Sequence, residues 1–585
     1  MSLASTLAAA LALFQIVPGK PQLAHLAVID VLVIVIYFAT VIYIGFHLKG
    51  ATNTSEEFFM AGREMTAWIA GLSFVSANLG ALELMGWAGS AYQYGILAMH
   101  WYWVGAIPAM LFLGLVMMPF YYVSKTHSVP GYLKLRFGES SRVLAAISFA
   151  TEMILMSGVN MFSMAVVMKV VLGWNITFSI FVSSLAVAAY VALGGLRSAI
   201  YNEVLQFCLI WGGALLVPIL GLVEAGGFHG LQQKIIANLG NDNYLHLWKT
   251  TAHFTDNPMG IHWTSILFGL GFVVSFGYWT TDFLVVQRVL SAHNLRAAQM
   301  APVIGSFFKM AVPFIVILPG LLGLVVLKNP DGSLMHLVGQ NQLSAANPHS
   351  YNEVLPLMLV RYFGPGLLGL GVTALLAGFM SGMAGNVSAF STVWTYDLYR
   401  PHIRKNAPDA HYVAVGRWAT ILGVLVSICA AYLVMHAAGI MDYVQALFSL
   451  FLAPLLGVIL LGMFWNRATA AGGFWGLLSG IVTSAGLFVW VHEVGQKALT
   501  IVAFSPHAKP MAENMSRALW AFAACVLVCV AVSMVTKPKP VAELNGLAYS
   551  ATTLPKAEPV PLYKNQWFWA GIVAVLFVAG NIIFW

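Results

Sequence analysis

The sequence predicts an all-α polytopic membrane protein: about fourteen transmembrane helices, with a core of two inverted five-helix repeats, one extra helix before it and three after. Three observations carry this. Of 585 residues, 60% are apolar and 8% charged, where a soluble domain has about 25% charged residues. The apolar residues fall in long continuous runs, not in the alternating segments of about ten residues that a membrane β-barrel shows. Two of these runs, five apart in order, are interrupted by glycine and polar residues, and interruptions at matching positions of two halves mark a repeat architecture.

A helical span needs about 20 apolar residues to cross about 30 Å of hydrocarbon. The candidates run 28–48, 66–92, 98–122, 141–172, 174–194, 202–224, 264–287, 302–327, 356–395, 412–435, 440–464, 471–493, 518–536 and 566–585. Residues 1–27 hold an apolar run with no Lys or Arg before it, unlike the basic start of a signal peptide, and read as an extracellular or periplasmic lead-in. Segment 28–48 is the extra first helix. Repeat one covers 66–224 and repeat two covers 264–464; five is odd, so the second is inverted. Three further helices fill 471–585, and the Pro-rich stretch 538–565 reads as a flexible cytoplasmic linker before the last of them.

An even number of spans puts both termini on one side. Placing them outside puts most of the 28 Lys and Arg residues, Arg288 among them, in cytoplasmic loops, as the positive-inside rule requires. The net charge of +7 thus follows topology and implies no nucleic-acid partner. Cys208, Cys429, Cys525 and Cys529 all lie in apolar spans and form neither a disulfide framework nor a metal motif.

The polar residues inside spans carry the chemistry. In "SANLGALELMGWAGSAYQYG", Ser76 to Gly95, a break near Ser76–Gly80 frees backbone carbonyls that need partners in a dry interior. A small cation takes such oxygens; the glycines alone also suit tight helix packing. Glu83 is a mid-span carboxylate, which costs about 3 kcal/mol or more unless paired or wet. Lys309, in "IGSFFKMAVPF", either snorkels to the interface or shares a polar cavity with Glu83. Glu152 either lines that cavity or bonds to a neighbouring helix. Asp282, Glu203 and Asp397 lie near span ends, where carboxylates cost less. Ser381, Ser388, Ser391 and Thr392 recur at helical spacing in 378–399. They either bond back to their own helix or form one wall of an ion or solute site. No HExxH, GxSxG or phosphate-loop motif points to an enzyme, and no continuous polar pore line points to a channel.

Several stretches, in order and spacing, resemble the solute:sodium symporter family, which includes sodium/galactose and sodium/glucose cotransporters: "SFVSANLGALELMGWAGS", "SVPGYLKLRFG", "GGLRSAIYNEVLQF", "YWTTDFLVVQRVLSAHN", "STVWTYDLY", "MDYVQALFSLFLAP" and "LLGMFWNRATAAGG". The resemblance implies the same inverted-repeat fold. It also implies a sodium ion between the broken first repeat helix and the eighth core helix. Ser76, Leu79 and Gly378 would give carbonyls and Ser381 a hydroxyl. Gly382 stands where the family carries a second hydroxyl, and Ala384 where two-sodium members carry another, so one sodium per cycle is expected. Glu203 matches an acidic residue on the inner sodium exit path.

For the solute, Asn78, Tyr278, Trp279, Lys309 and Gln445 match sugar-binding positions, with Tyr278 as inner gate. Glu83 sits where relatives have Gln or His, Tyr102 replaces an acidic residue, and Ser275 replaces Asn or Thr. The resemblance thus implies a sodium-coupled symporter of the inner or plasma membrane importing a small polar solute, a sugar or polyol, with no obligate protein partner. The alternative on this fold is a sodium-independent or proton-coupled transporter, or a solute sensor, for a non-sugar substrate. No mid-span Arg is expected to receive a solute carboxylate.

Overall fold

The computed structural model describes residues 27–48, 54–124, 128–553 and 560–585. The expected lead-in 1–27 thus falls almost wholly outside the described residues. Among these the chain is helical, and strand pairing is limited to three isolated bridges. Among the described residues, ten helices are long and apolar enough to cross a membrane, or twelve if each of two bent pairs counts as one span.

Fourteen is therefore not reached by length and composition, for two reasons. Residues 81–124 run on as one 44-residue helical stretch, so the boundary expected near 92–98 is a change to 3-10 and π turns. Ile176–Ala214 is likewise one helical stretch, kinked at Gly195 (φ 56°), so the boundary expected between 174–194 and 202–224 is a kink within it.

The helices that build the site are α1 Val28–Leu48, α2 Ala67–Asn78, α3 Ala81–Tyr94, α4 Glu139–Leu172, α5 Ile176–Ala214, α6 Ser275–Thr281, α7 Phe283–Leu290, α8 Leu295–Ala311, α9 Leu367–Val393, α10 Asp409–Leu433 and α11 Ile440–Phe464. Outside them lie α12 Ala470–Val494, α13 Pro510–Val535 and α14 Gln566–Ile583. The long helix α9 is buried almost throughout and packs on α2, α3, α4, α5 and α10. α2 lies against α8.

Two breaks shape the centre. Thr66 starts α2 by accepting the Ile69 N–H, a side-chain N-cap. α2 stops at Leu79, whose N–H is shared between Val75 and Ser76 carbonyls, and Gly80 is extended (φ −75°, ψ 171°) before α3 begins. The second break is at Asp282, extended at φ −67° and ψ 119°, whose carboxylate accepts the Leu284 N–H and so starts α7. The helix axis turns by 48° there.

That break lies inside the expected span 264–287, beyond its glycines, where Ser265–Val274 runs as a π-helix. The glycines there serve close approach instead: a Cβ on Gly269 would lie 2.6 Å from the Met515 carbonyl oxygen and one on Gly271 2.9 Å from Val104. Gly71 and Gly89 do the same in the first repeat, against Ala301 and Tyr351 carbonyls. This is the small-residue packing that membrane helices use.

The end of the chain fixes a face. Phe584 and Trp585 carbonyls accept N–H bonds from Leu247, Trp248 and Lys249, so α14 ends beside loop 240–263. At the other end of α14, the described part of 538–565 is docked, not the free linker expected. Leu544 and Ala548 are fully buried, Tyr549 lies 5.2 Å from the Phe120 ring, and Tyr132 donates to the Leu547 carbonyl. Apolar side chains spaced between the prolines supply the anchors.

Candidate functional site

Helix ends prepare the charged centre. Glu83 lies in the first turn of α3 and Lys309 in the last turn of α8. Each charge therefore sits where its helix dipole favours it. Lys309 is 1% exposed and Glu83 5%, which excludes snorkelling. The Lys309 Nζ lies 2.9 Å from Glu83 Oε1 and 3.2 Å from Oε2, and it donates a further hydrogen bond to Asn78 Oδ1. Tyr102 donates to Glu83 Oε1 at 2.9 Å. The ammonium also stands over the Tyr102 ring at 5.0 Å and the Trp279 ring at 5.2 Å. A buried pair survives desolvation only when its remaining donors and acceptors are satisfied, and here two aromatic faces, an amide and a phenol complete it.

The pair borders a cavity lined from several of these helices. Asn78, Glu83, Tyr102, Ser275, Tyr278, Trp279, Lys309 and Gln445 all line it. All eight sequence-predicted solute residues thus meet in one place. Asn78 Nδ2 donates to the Tyr278 hydroxyl at 2.6 Å. Tyr278 packs edge-on to Trp279 and lies 4.9 Å from Phe448, which makes one wall aromatic. Three amide oxygens on this cavity have no hydrogen-bond partner: Asn160 Oδ1, Asn386 Oδ1 and Gln445 Oε1. A buried acceptor left without a donor costs about 1–3 kcal/mol, so these oxygens call for a hydrogen-bond donor or a cation.

Beside the cavity, α9 crosses the break between α2 and α3. Ser381 Oγ donates to the Ser76 carbonyl at 2.8 Å and lies 3.1 Å from Ser76 Oγ. A Cβ on Gly378 would be 3.2 Å from the Leu79 carbonyl oxygen. Ser76, Leu79, Gly378 and Ser381 are therefore neighbours, as the resemblance implied. The other hydroxyls singled out in 378–399 are engaged elsewhere: Ser388 and Thr392 bond to their own helix and Ser391 to the Gly416 carbonyl.

Glu203 lies outside the cavity. Its carboxylate meets Arg288 at 2.6 Å, with both side chains fully buried, and accepts a hydrogen bond from Ser73. Arg288, counted above as a loop cation, is thus an interior residue. A basic residue just past an apolar run reads as a loop charge; a carboxylate on α5, remote in sequence, draws it inside.

The profile of the Sodium:solute symporter family matches residues 58–480, a stretch that includes every residue of this site. The chain belongs to the sodium:solute symporter family. It is therefore a multi-pass membrane transporter and not an enzyme. The symporter is 29% identical over 545 residues to sodium/glucose cotransporter 4 of Homo sapiens, covering 90% of this chain and 79% of that protein. It is 30% identical over 468 residues to sodium/myo-inositol cotransporter 2 of Oryctolagus cuniculus, covering 77% and 68%. Its fold is that of a Na+-coupled sialic acid symporter in a substrate-bound outward-open state, with TM-score 0.69, 19% identity, and coverage of 88% of this chain and 99% of that one.

Sequence reasoning missed parts of the symporter's centre. Asn160 and Asn386 are mid-span amides, and the argument that singled out Glu83 applies to them: a polar side chain in a dry helix needs a partner. Glu152 fits neither role expected of it. It is fully buried, it borders a separate small cavity with Ser148, Phe149 and Phe451, and neither carboxyl oxygen has a hydrogen-bond partner. Arg136, Arg288 and Arg517 are buried near the ends of helices, and none of them lines the cavity.

Proposed function

We propose that this symporter imports one small, uncharged, polyhydroxylated solute, a sugar or polyol, together with one sodium ion. The observation that carries the solute class is the Glu83–Lys309 pair. The cavity presents both charges already neutralised against each other, so an anionic solute would compete with Glu83 for Lys309. Hydroxyl groups complement the rest: they donate to Gln445 and Asn386 oxygens and to the free lone pairs of Glu83, as charge-assisted bonds in the last case. Ser275 adds a further hydroxyl, Tyr278 and Trp279 offer ring faces, and Tyr278 is the inner gate. Relatives named for glucose and for myo-inositol fit this chemistry.

The carbonyls of Ser76, Leu79 and Gly378 and the Ser381 hydroxyl would hold the sodium ion. They are neutral oxygens from a broken helix and the helix across from it, the donor type that suits a hard cation. Sodium bound there links the α2–α3 break to α9. It drives uptake only if it favours the solute-ready state, and the coupling is reciprocal. Glu203 on the inner exit path is held by Arg288, so a departing ion would compete with a guanidinium. Both termini face outside, with 538–565 in the cytoplasm.

Uptake into proteoliposomes with and without a sodium gradient tests the proposal. Ser381→Ala should raise the sodium concentration for half-maximal uptake at least about tenfold, the loss of one contact to a charged group worth about 1.5–3 kcal/mol. An unchanged sodium requirement sinks the site. Uptake that follows a proton gradient without sodium supports the proton-coupled alternative.

A further inference from the structure

Gly382 leaves the proposed sodium site one hydroxyl short, and the structure shows what stands in that space. Asn160 lies within α4 and is 1% exposed. Its Nδ2 donates to the Met156 carbonyl, one turn back, at 3.3 Å. Only the nitrogen of a carboxamide can donate, so this bond identifies the other atom as the oxygen. That oxygen has no partner. It lies 2.8 Å from where a Cβ on Gly80 would be and 2.9 Å from where one on Gly382 would be. The carboxamide thus fills the cleft between the break and α9, where Gly378 and Leu79 face each other.

The two glycines are the condition for this arrangement. A serine at 382 would push its Cβ to 2.9 Å from Asn160 Oδ1, closer than real Cβ atoms approach a neighbour. A hydroxyl-bearing side chain at 382 would therefore displace Asn160 Oδ1 from this position. The residue that removes a ligand also makes room for a different oxygen, presented from a third helix.

We propose that Asn160, through its side-chain carbonyl oxygen, is the sodium ligand that replaces the hydroxyl missing at Gly382. This rests on the sodium site formed by Ser76, Leu79, Gly378 and Ser381. An amide oxygen is a neutral, hard donor of the kind that binds such cations, so the exchange keeps the charge of the site. It also ties α4 to the ion, together with the broken helix and α9.

The test uses the purified full chain and two readouts: the sodium concentration that gives half of the sodium-dependent thermal stabilisation without solute, and the solute KM of uptake at saturating sodium. Asn160→Ala should raise the sodium midpoint about tenfold, as Ser381→Ala does, with little change in solute KM. Gly382→Ser alone should also weaken sodium binding, because its Cβ collides with Asn160. The double variant Asn160→Ala with Gly382→Ser should return the midpoint to within about threefold of wild type, about 0.7 kcal/mol, since the hydroxyl then has both room and a role. Asn160→Asp keeps the oxygen and should retain sodium binding, which separates a lost ligand from a failed fold. A raised midpoint in Ser381→Ala with a wild-type midpoint in Asn160→Ala overturns the proposal and leaves the sodium site standing. A raised solute KM in Asn160→Ala with an unchanged sodium midpoint also overturns it and assigns Asn160 to the solute. Unchanged midpoints in both single variants overturn the sodium site itself, and this proposal with it.

Discussion

Glu83–Lys309 and Glu203–Arg288 are both buried carboxylate–cation pairs on the broken helices, yet they are built for different tasks. Arg288 reaches Glu203 with two nitrogens, at 2.6 and 3.4 Å, and donates again to the Leu284 carbonyl and to Gln287. Ser73 completes the set from α2. A guanidinium is a rigid fork and holds one geometry, so this pair locks α2, α5 and α7 together. Lys309 is a compact charge on a flexible stem. Its pair borders the solute cavity, and its neighbours include an amide and two ring faces that tolerate small shifts. The difference teaches that burial alone does not mark a solute-binding charge; what the pair faces does.

The comparison predicts its largest effect at Arg288. Arg288→Met strands a fully buried Glu203, and breaking a buried pair costs about 3–5 kcal/mol, a large share of the roughly 5–15 kcal/mol that holds a typical fold. Little folded protein should survive solubilisation, measured as the monodisperse fraction on size exclusion. Arg288→Met with Glu203→Gln removes both charges and should recover most of it. A stable Arg288→Met single variant would erase the distinction between the two pairs.

At the cavity pair the loss should appear in solute binding before it appears in folding. Glu83→Gln keeps shape and an acceptor but removes the charge; it should reach the membrane and show altered solute affinity. Lys309→Met leaves Glu83 uncompensated and should be worse alone than combined with Glu83→Gln. Solute affinity measured for both singles and the double gives the coupling, which for contacting residues runs at about 0.5–3 kcal/mol. Additive effects would mean that the two charges act separately.

These two pairs also show how far the sequence could be read. Composition and run length made the membrane helices legible, and the cost of a mid-span carboxylate pointed to Glu83 and a partner at Lys309. Family motifs brought Ser76, Leu79, Gly378 and Ser381 together across about 300 residues. Arg288 was not legible, because a charge at the end of an apolar run looks the same whether it turns outward or inward. The position of the second break within 264–287 was not legible, since a helix breaks where a side chain can cap the new end, as Asp282 does. A count of fourteen is not confirmed among the described residues, because a helix that kinks, as at Gly195, joins two apolar runs that were counted apart. The docking of 538–565 depends on Leu544 and Tyr549 finding partners far away in the chain.

The smallest effect is expected at an exposed pair, which sets the scale for both buried ones. Asp242 in loop 240–263 accepts from Lys249 at 2.8 Å and lies 2.9 Å from His246, with 41% of its side chain exposed. Lys249 first, and then His246, hold its carboxyl down to about 2, below the ordinary 3.8. The sign follows: the folded value is lowered, so the pair stabilises the fold above the ordinary value and loses that contribution as pH falls through about 4 to 2. Between pH 5 and 8 it should add no pH dependence. Solvent and salt screen such a contact, and exposed pairs are worth about 0.2–1 kcal/mol. Asp242→Asn should therefore shift thermal stability at pH 7 only slightly, and the shift should shrink further in high salt. Sodium chloride would confound that arm through the coupling ion, so choline chloride is the salt to use. A destabilisation as large as that of Arg288→Met, or one that salt does not touch, would show that loop 240–263 and the end of α14 hold the fold as firmly as the interior does.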